Sequence, residues 1–262
     1  TGWSAGPPAP AADHSVAPGA LDAGTTAAVG PHSAIGRHHA APGGAGVGRA
    51  LHELLEFIDL DELRTGVDAA GWVGSAPVRE LATRVLRRHA QELLGSPRQT
   101  DTVVDQVLHM AYDAVTTPLS PPDAASDRPA VAALPALLSA TRLVRELEFV
   151  LPVPAPHRGA VTGVIDVLFE SDGALWVLDY KTDRLSDASA AGLRAHVEQH
   201  YAIQRRIYAL AAAQMEATVP LAGVVFWFVR VPRAVVVPIN RDVLAHDQSW
   251  LASELANQRG DG

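Results

Sequence analysis

The sequence predicts a mixed α/β fold of the α+β kind, a helical amino-terminal portion followed by a β-sheet that one long helix interrupts. Three observations carry this. Apolar residues recur at helical spacing from Leu51 onward, the period switches to two at Arg145, and a β-branched and aromatic run from Ala222 to Val231 comes after a long helical stretch. At 262 residues the chain is long enough for one large domain with a substantial core.

From Thr1 to about Gly46 the chain is Ala, Gly, Pro, Ser and His, with Asp13, Asp22 and Arg37 its only charges. Such a segment buries too little to offset chain entropy, so residues 1–46 are expected to be a flexible linker and 47–262 the folded domain. The histidines His32, His38 and His39 belong to that low-complexity stretch, which weakens a metal-binding reading of them. The chain opens on Thr1 and not on Met, so it is expected to be a piece of something longer or a processed product.

Leu51, Leu54, Leu55 and Ile58 define a first helix, which carries His52 and Glu56. A second is expected from Pro77 to Leu94, with Pro in its first turn and Gly95 beyond its end. A third covers Thr102 to Val115, Pro118 to Pro129 reads as a loop, and Val131 to Arg142 as a short helix despite Pro135. Strands follow at Arg145–Val153, Val161–Glu170 and Ala174–Tyr180, the last two joined by a turn at Ser171, Asp172 and Gly173. A single long helix from Ala190 to about Ala217 precedes the strands Ala222–Val231 and Val235–Ile239, and a final helix spans about Asp242 to Asn257.

Composition narrows the chemistry. There are 0 cysteines, which excludes disulfides, thiolate zinc and a cysteine-held iron-sulfur cluster, so any metal sits on oxygen or imidazole. No apolar run approaches the roughly 18 residues that cross a bilayer, and no signal peptide opens the chain, so no membrane partner and a cytoplasmic location are expected. The net charge of -8 argues against a freestanding nucleic-acid binder unless bound divalent cations offset the acids and a larger assembly supplies a basic track. Every basic residue but one is Arg, and the exception is Lys181. In an Ala- and Arg-rich chain a retained lysine points to chemistry that a guanidinium, a planar and permanently charged fork, does not perform.

Lys181 stands two residues after Asp179, so the two side chains share a strand face while Leu178 and Tyr180 point the other way. Asp166 lies on the preceding antiparallel strand, within reach of both. Two carboxylates beside an amine form a seat for a hard divalent cation that keeps water for a phosphate. The alternative is an ordinary surface ion pair, but Val177, Leu178 and Ile165 are core-type neighbours, and acids at a buried sheet are costly unless paired or metal-bound.

The hairpin Gly163-Val-Ile-Asp166 to Leu178-Asp179-Tyr180-Lys181-Thr-Asp, followed by Tyr201-Ala-Ile-Gln204-Arg-Arg-Ile-Tyr208, resembles the RecB-type nuclease domain of the PD-(D/E)xK superfamily. So do Gly48-Arg-Ala-Leu-His52-Glu-Leu-Leu-Glu56, similar to that family's histidine helix, Arg145-Glu-Leu-Glu-Phe-Val-Leu-Pro before the hairpin, and Gly223 to Arg230 after the Gln/Tyr helix. The resemblance implies a restriction-endonuclease-like central mixed sheet flanked by helices. It implies His52, Asp166 and Asp179, with the carbonyl of Tyr180, as ligands for magnesium, manganese substituting, and Lys181 as the catalytic lysine. Gln204 and Tyr208 would face the site and hold DNA or its geometry. It also implies hydrolysis of single-stranded DNA ends, a helicase domain on the same native chain, and partner subunits of a RecBCD- or AddAB-like complex that processes double-strand breaks for recombinational repair. The competing reading is a catalytically inactive nuclease-like module for DNA holding or subunit docking. No glycine-rich phosphate loop supports a small-molecule enzyme.

Several residues stay open at this level. Glu146 or Glu148 could reach the metal or face solvent, Glu56 reads as a structural partner, and Tyr208 fits a core position equally well. Arg184, Arg194, Arg205 and Arg206 could form a DNA track or be solvated helix charges.

Overall fold

Helix α1, Ala45–Phe57, turns Val47, Ala50, Leu51, Leu54 and Leu55 inward, as the apolar spacing requires. The computed structural model describes residues 45–90, 96–119, 134–155, 159–216 and 218–257. Two short helices follow that periodicity does not reveal, α2 (Leu60–Arg64) and α3 (Ala69–Gly74). Each starts at an aspartate whose side chain accepts from the first exposed N–H groups, Asp59 from Asp61 and Glu62, Asp68 from Gly71. Helices α4 (Ala76–His89) and α5 (Pro97–Thr116) complete an amino-terminal layer.

The sheet is β1 (Arg142–Pro152), β2 (Ala160–Ser171), β3 (Ala174–Lys181), β4 (Leu221–Phe228) and β5 (Arg233–Pro238), hydrogen-bonded in that order. All neighbours are antiparallel except β3 and β4, which run parallel. That pair needs a crossover, supplied by α6 (Ala190–His200) and α7 (Ala202–Met215). Helix α8, Arg241–Asn257, follows β5. Alternation along the central strands feeds two cores. Trp176, Leu178 and Tyr180 of β3 and Val225 and Trp227 of β4 pack with α1 to α5, while Leu175, Val177, Phe226 and Phe228 pack with α6 to α8. The β2–β3 turn has positive φ at Asp172 (52°) and Gly173 (70°), the two-residue geometry that suits the sheet's twist.

The structure departs from the sequence reading in identifiable places. The single helix expected over Ala190–Ala217 is two, parted at Tyr201, whose φ of -121° and ψ of 9° end α6. No Pro or Gly marks the break; the Tyr201 ring is instead turned to stack on Phe226. Of the helix expected over Val131–Arg142, residues 131–133 lie outside the described residues, and the rest holds a 3-10 turn at Leu137–Ser139, with Arg142 already in β1. Pro135 removes a helical donor, and its carbonyl accepts from the Leu119 N–H instead. Helix α1 begins inside the expected linker, and residues 1–44, which hold most of that linker and its histidines, lie outside the described residues. So do Leu94 and Gly95, most of the expected Pro118–Pro129 loop, and Ala217.

Arg205 and Arg206 are partly buried and turn toward the last helix. Arg205 forms a forked ion pair with Asp247 of α8, which is fully buried, and Arg206 Nε lies 3.7 Å from the same carboxylate while its guanidinium covers the Trp250 ring at 4.8 Å. The last helix is thereby tied to α7. Replacing Asp247 by Ala leaves two guanidinium groups without their anion, and urea unfolding is expected to show a loss of about 3 kcal/mol. An unchanged unfolding midpoint would refute this clamp.

Candidate functional site

The β2–β3 ladder runs from Ser171↔Ala174 to Val167↔Leu178 and stops there, while β3 continues beside β4 as far as Lys181↔Phe228. The next residues on the parting strands are Asp166 and Asp179. Asp166 occupies the gap with its side chain, Oδ2 accepting from the Tyr180 N–H at 2.7 Å in place of a ladder bond. Both acids are buried, Asp179 at 2% and Asp166 at 8% exposure, so their ionised forms need partners.

Those partners come from two directions. On one side His52 Nδ1 lies 3.4 Å from Asp166 Oδ2, and ligand atoms of His52, Glu146 and Asp166 all fall within 4.8 Å of one another. Helix α1 reaches this close because Gly48 lies one turn before His52 on the same face. A Cβ there would stand 2.9 Å from Thr182 Oγ1, so glycine permits the approach. The Tyr180 ring, buried with the α1 core, meets the imidazole edge-on at 6.0 Å.

On the other side Lys181 Nζ lies 2.5 Å from Asp179 Oδ2 and donates to Gln204 Oε1 at 2.8 Å. Gln204 Nε2 in turn donates to Asp179 Oδ1 at 3.0 Å and to Tyr208 Oη at 2.9 Å, and the Tyr208 hydroxyl donates to the Val164 carbonyl at 2.7 Å. Gln204 and Tyr208, one turn apart on α7, therefore hold the acid and the amine in place, and Tyr208 is a core residue and a site residue at once. The close acid and imidazole group comprises His52, Glu146 and Asp166, whereas Asp179 is drawn to Lys181. Of the two carboxylates, Asp179 pairs directly with Lys181, while Asp166 stands close enough to act on Asp179 by its charge.

Glu146 is the site residue that sequence left undecided. Its φ of 49° breaks the strand alternation of β1 opposite Asp166 and brings its carboxylate into the group, while Glu148 stays exposed. No local signal in Arg-Glu-Leu-Glu-Phe distinguishes the two. Glu56 stands near enough to raise Glu146 by its charge and is outside the ligand group. Tyr201, which the sequence reading gave no separate role, also reaches the site, its ring centroid 3.9 Å from Lys181 Nζ.

The donor set fits a divalent cation. The oxygen and imidazole donors of His52, Glu146 and Asp166 match hard to borderline cations. The protonation equilibria agree. Burial pushes the Glu146 carboxyl up to about 7, with the charge of Asp166 adding to it, and burial pushes Asp179 up to about 6 against the pull of Lys181. Burial acts to lower His52, but the charge of Asp166, its hydrogen bond, and the charges of Asp179 and Glu146 outweigh it and raise the imidazole to about 9. Each group thus has a folded pKa above its unfolded one, so its contribution to stability is complete below the unfolded value and is lost as pH rises through the folded value. Compared with a Glu146→Gln variant, the cation-free chain is expected to lose stability as pH rises from roughly 4.5 to about 7 in urea titrations. A divalent cation is expected to bind more tightly across the same rise, releasing protons that calorimetry in two buffers of different ionisation enthalpy counts. Binding with no proton release would contradict the assignment.

Comparison with known proteins gives the family. The model of the PD-(D/E)XK nuclease superfamily matches residues 34–260. Among curated proteins the chain is similar to an ATP-dependent helicase/nuclease subunit from Bacillus pumilus, 38% identical over 92 residues, which is 30% of this chain and 8% of that protein. It is also similar to the corresponding ATP-dependent helicase/nuclease subunit from Bacillus velezensis, 24% identical over 194 residues, 69% of this chain and 13% of that protein. The chain spans only these small fractions of the relatives it matches. With the family match extending through nearly all of the described residues, and a five-stranded mixed sheet flanked by helices beneath it, the chain belongs to the PD-(D/E)XK nuclease superfamily.

Proposed function

We propose that this chain is a deoxyribonuclease domain that hydrolyses phosphodiester bonds of unwound DNA strands in a helicase-nuclease of the AddA or RecB type. The observation that carries the reading is the meeting, at the parting of β2 and β3, of the Asp179–Lys181–Gln204 set with the His52–Glu146–Asp166 set. Among the described residues no helix is long and apolar enough to cross a membrane.

In this reading His52, Asp166 and Asp179, with Glu146 and the carbonyl of Tyr180, hold magnesium, and manganese substitutes. When bound, the cation polarises the scissile phosphate and acidifies a water. The chain's own groups do the rest. Lys181 presents a compact ammonium whose donors offset charge gathering on the phosphate oxygens and orient the attacking water. Gln204 bridges acid and amine so that neither side chain swings away, and Tyr208 fixes Gln204 through its two hydrogen bonds. Burial of Asp179 keeps bulk water from competing for the same atoms.

The biological setting rests on the relatives named as helicase/nuclease subunits, of which this chain matches a small part. A helicase domain on the native chain would deliver single strands, partner subunits would complete the complex, and the assembly would process double-strand breaks for recombinational repair. The net charge of -8 favours such an arrangement, since DNA must be brought to an acidic domain by basic surface elsewhere.

Replacing Lys181 by Ala is expected to lower magnesium-dependent cleavage of single-stranded DNA by about a hundredfold or more with the circular-dichroism spectrum preserved. Lys181→Arg is not expected to restore it, because a planar fork cannot take the place of the ammonium between Asp179 and Gln204. Cleavage at the wild-type rate in Lys181→Ala would exclude the mechanism. A chain that shows no saturable magnesium or manganese binding near neutral pH would instead be a DNA-holding or docking module.

A further inference from the structure

We propose that Tyr201, anchored by Asp183, is a positioning residue that fixes the Lys181 ammonium in the cleft; the proposal rests on the reading of Lys181 as the amine that faces the phosphate. Lys181 is a four-carbon stem with a point charge at its end, and such a side chain is held only where its surroundings leave it no alternative. Asp179 Oδ2 and Gln204 Oε1 take two of its directions, at 2.5 and 2.8 Å. The Tyr201 ring closes a third, its centroid 3.9 Å from Nζ, with Phe226 behind at 5.7 Å. An ammonium over an aromatic face is attracted by the ring's negative quadrupole, and the contact strengthens where water is excluded. The Lys181 side chain is only 12% exposed.

The ring is itself held from several sides. It stacks on Phe226 at 5.5 Å with an interplanar angle of 20°, and His196 meets it edge-on at 5.6 Å. Its hydroxyl donates to the carboxylate of Asp183, 2.8 Å from either oxygen. Asp183 lies two residues beyond Lys181, so one tyrosine spans the lysine with its ring and the aspartate with its hydroxyl. The break between α6 and α7 at Tyr201 is what delivers that ring; a continuous helix has no reason to interrupt itself at a residue with no Pro or Gly beside it. Three residues on, Gln204 holds the same ammonium from the start of α7. The opening of α7 therefore supplies two of the groups that surround Lys181, and the turn at Tyr201 sets where they stand.

The chain's one lysine makes this directly measurable in the full 262-residue protein. In a nitrogen-15-labelled sample the lysine ammonium region holds a single side-chain resonance, that of Lys181. Its protons are expected upfield of an exposed lysine, with nuclear Overhauser contacts to the Tyr201 ring. Tyr201→Phe is expected to keep the shift, and Tyr201→Leu to move it to the exposed-lysine position. In steady-state cleavage Tyr201→Leu is expected to lower kcat about 10- to 100-fold with KM little changed, and Tyr201→Phe to recover most of the loss. A residue that served stability alone would lower the melting temperature in Tyr201→Leu and leave both the lysine resonance and kcat where they were, which would overturn the proposal. If Tyr201→Leu does not fold, the wild-type spectrum decides, since absence of contacts between the Lys181 methylenes and the Tyr201 ring overturns it equally. A wild-type chain that fails to cleave DNA counts against the proposed function, and the resonance then judges this inference by itself.

Discussion

The organisation of the site depends on one substitution of hydrogen bonds, the Asp166 carboxylate taking the Tyr180 N–H where a strand partner would otherwise sit. A backbone donor buried inside a sheet must be satisfied, and a side-chain acceptor can do this only if the neighbouring strand steps away. The β2–β3 ladder accordingly ends at Val167↔Leu178, short of the end of β3, and the space released is lined by Asp166 and Asp179. A bond between a charged acceptor and a neutral donor contributes about 1.5 to 3 kcal/mol, which helps to hold the carboxylate in its buried position.

Around that opening the packing works in pairs. Helix α1 is admitted by Gly48 and brings His52; helix α7 is tied to α8 through Arg205 and Asp247 and brings Gln204 and Tyr208. Each acid then faces a partner of opposite sign or a hydrogen-bond donor, Asp166 toward His52 and Asp179 toward Lys181 and Gln204. The site is built on strands and helices and not on long loops, which is why several side chains meet within hydrogen-bond distances.

The same crowding of acids works against stability. Burial and mutual repulsion hold Glu146 and Asp179 above the usual carboxylate range, so part of the folding free energy is spent on keeping charge together. A cation of charge two relieves the repulsion directly, and the family's shared chemistry gives a reason for the cost. The positive φ of Glu146 is a second local strain at the same place, with the bend of β1 directing one more oxygen into the group.

The sequence by itself determined the strand alternation, the hairpin turn at Asp172-Gly173 and the placing of Asp179 and Lys181 on one strand face beside Asp166, because periodicity and residue chemistry are local properties that survive without coordinates, whereas His52 and Gln204 were brought to the site only by the family resemblance. It could not show the break at Tyr201, since no Pro or Gly encodes it and the cause is a contact with Phe226 on a strand reached only after the chain has turned back. Nor could it separate Glu146, whose φ is positive, from Glu148, or reveal that Arg205 and Arg206 are turned inward by an aspartate some forty residues later. That Asp166 turns to His52 and Asp247 to Arg205 was decided by tertiary structure, for the reason that electrostatic partners are chosen by distance in space and the sequence records only distance along the chain.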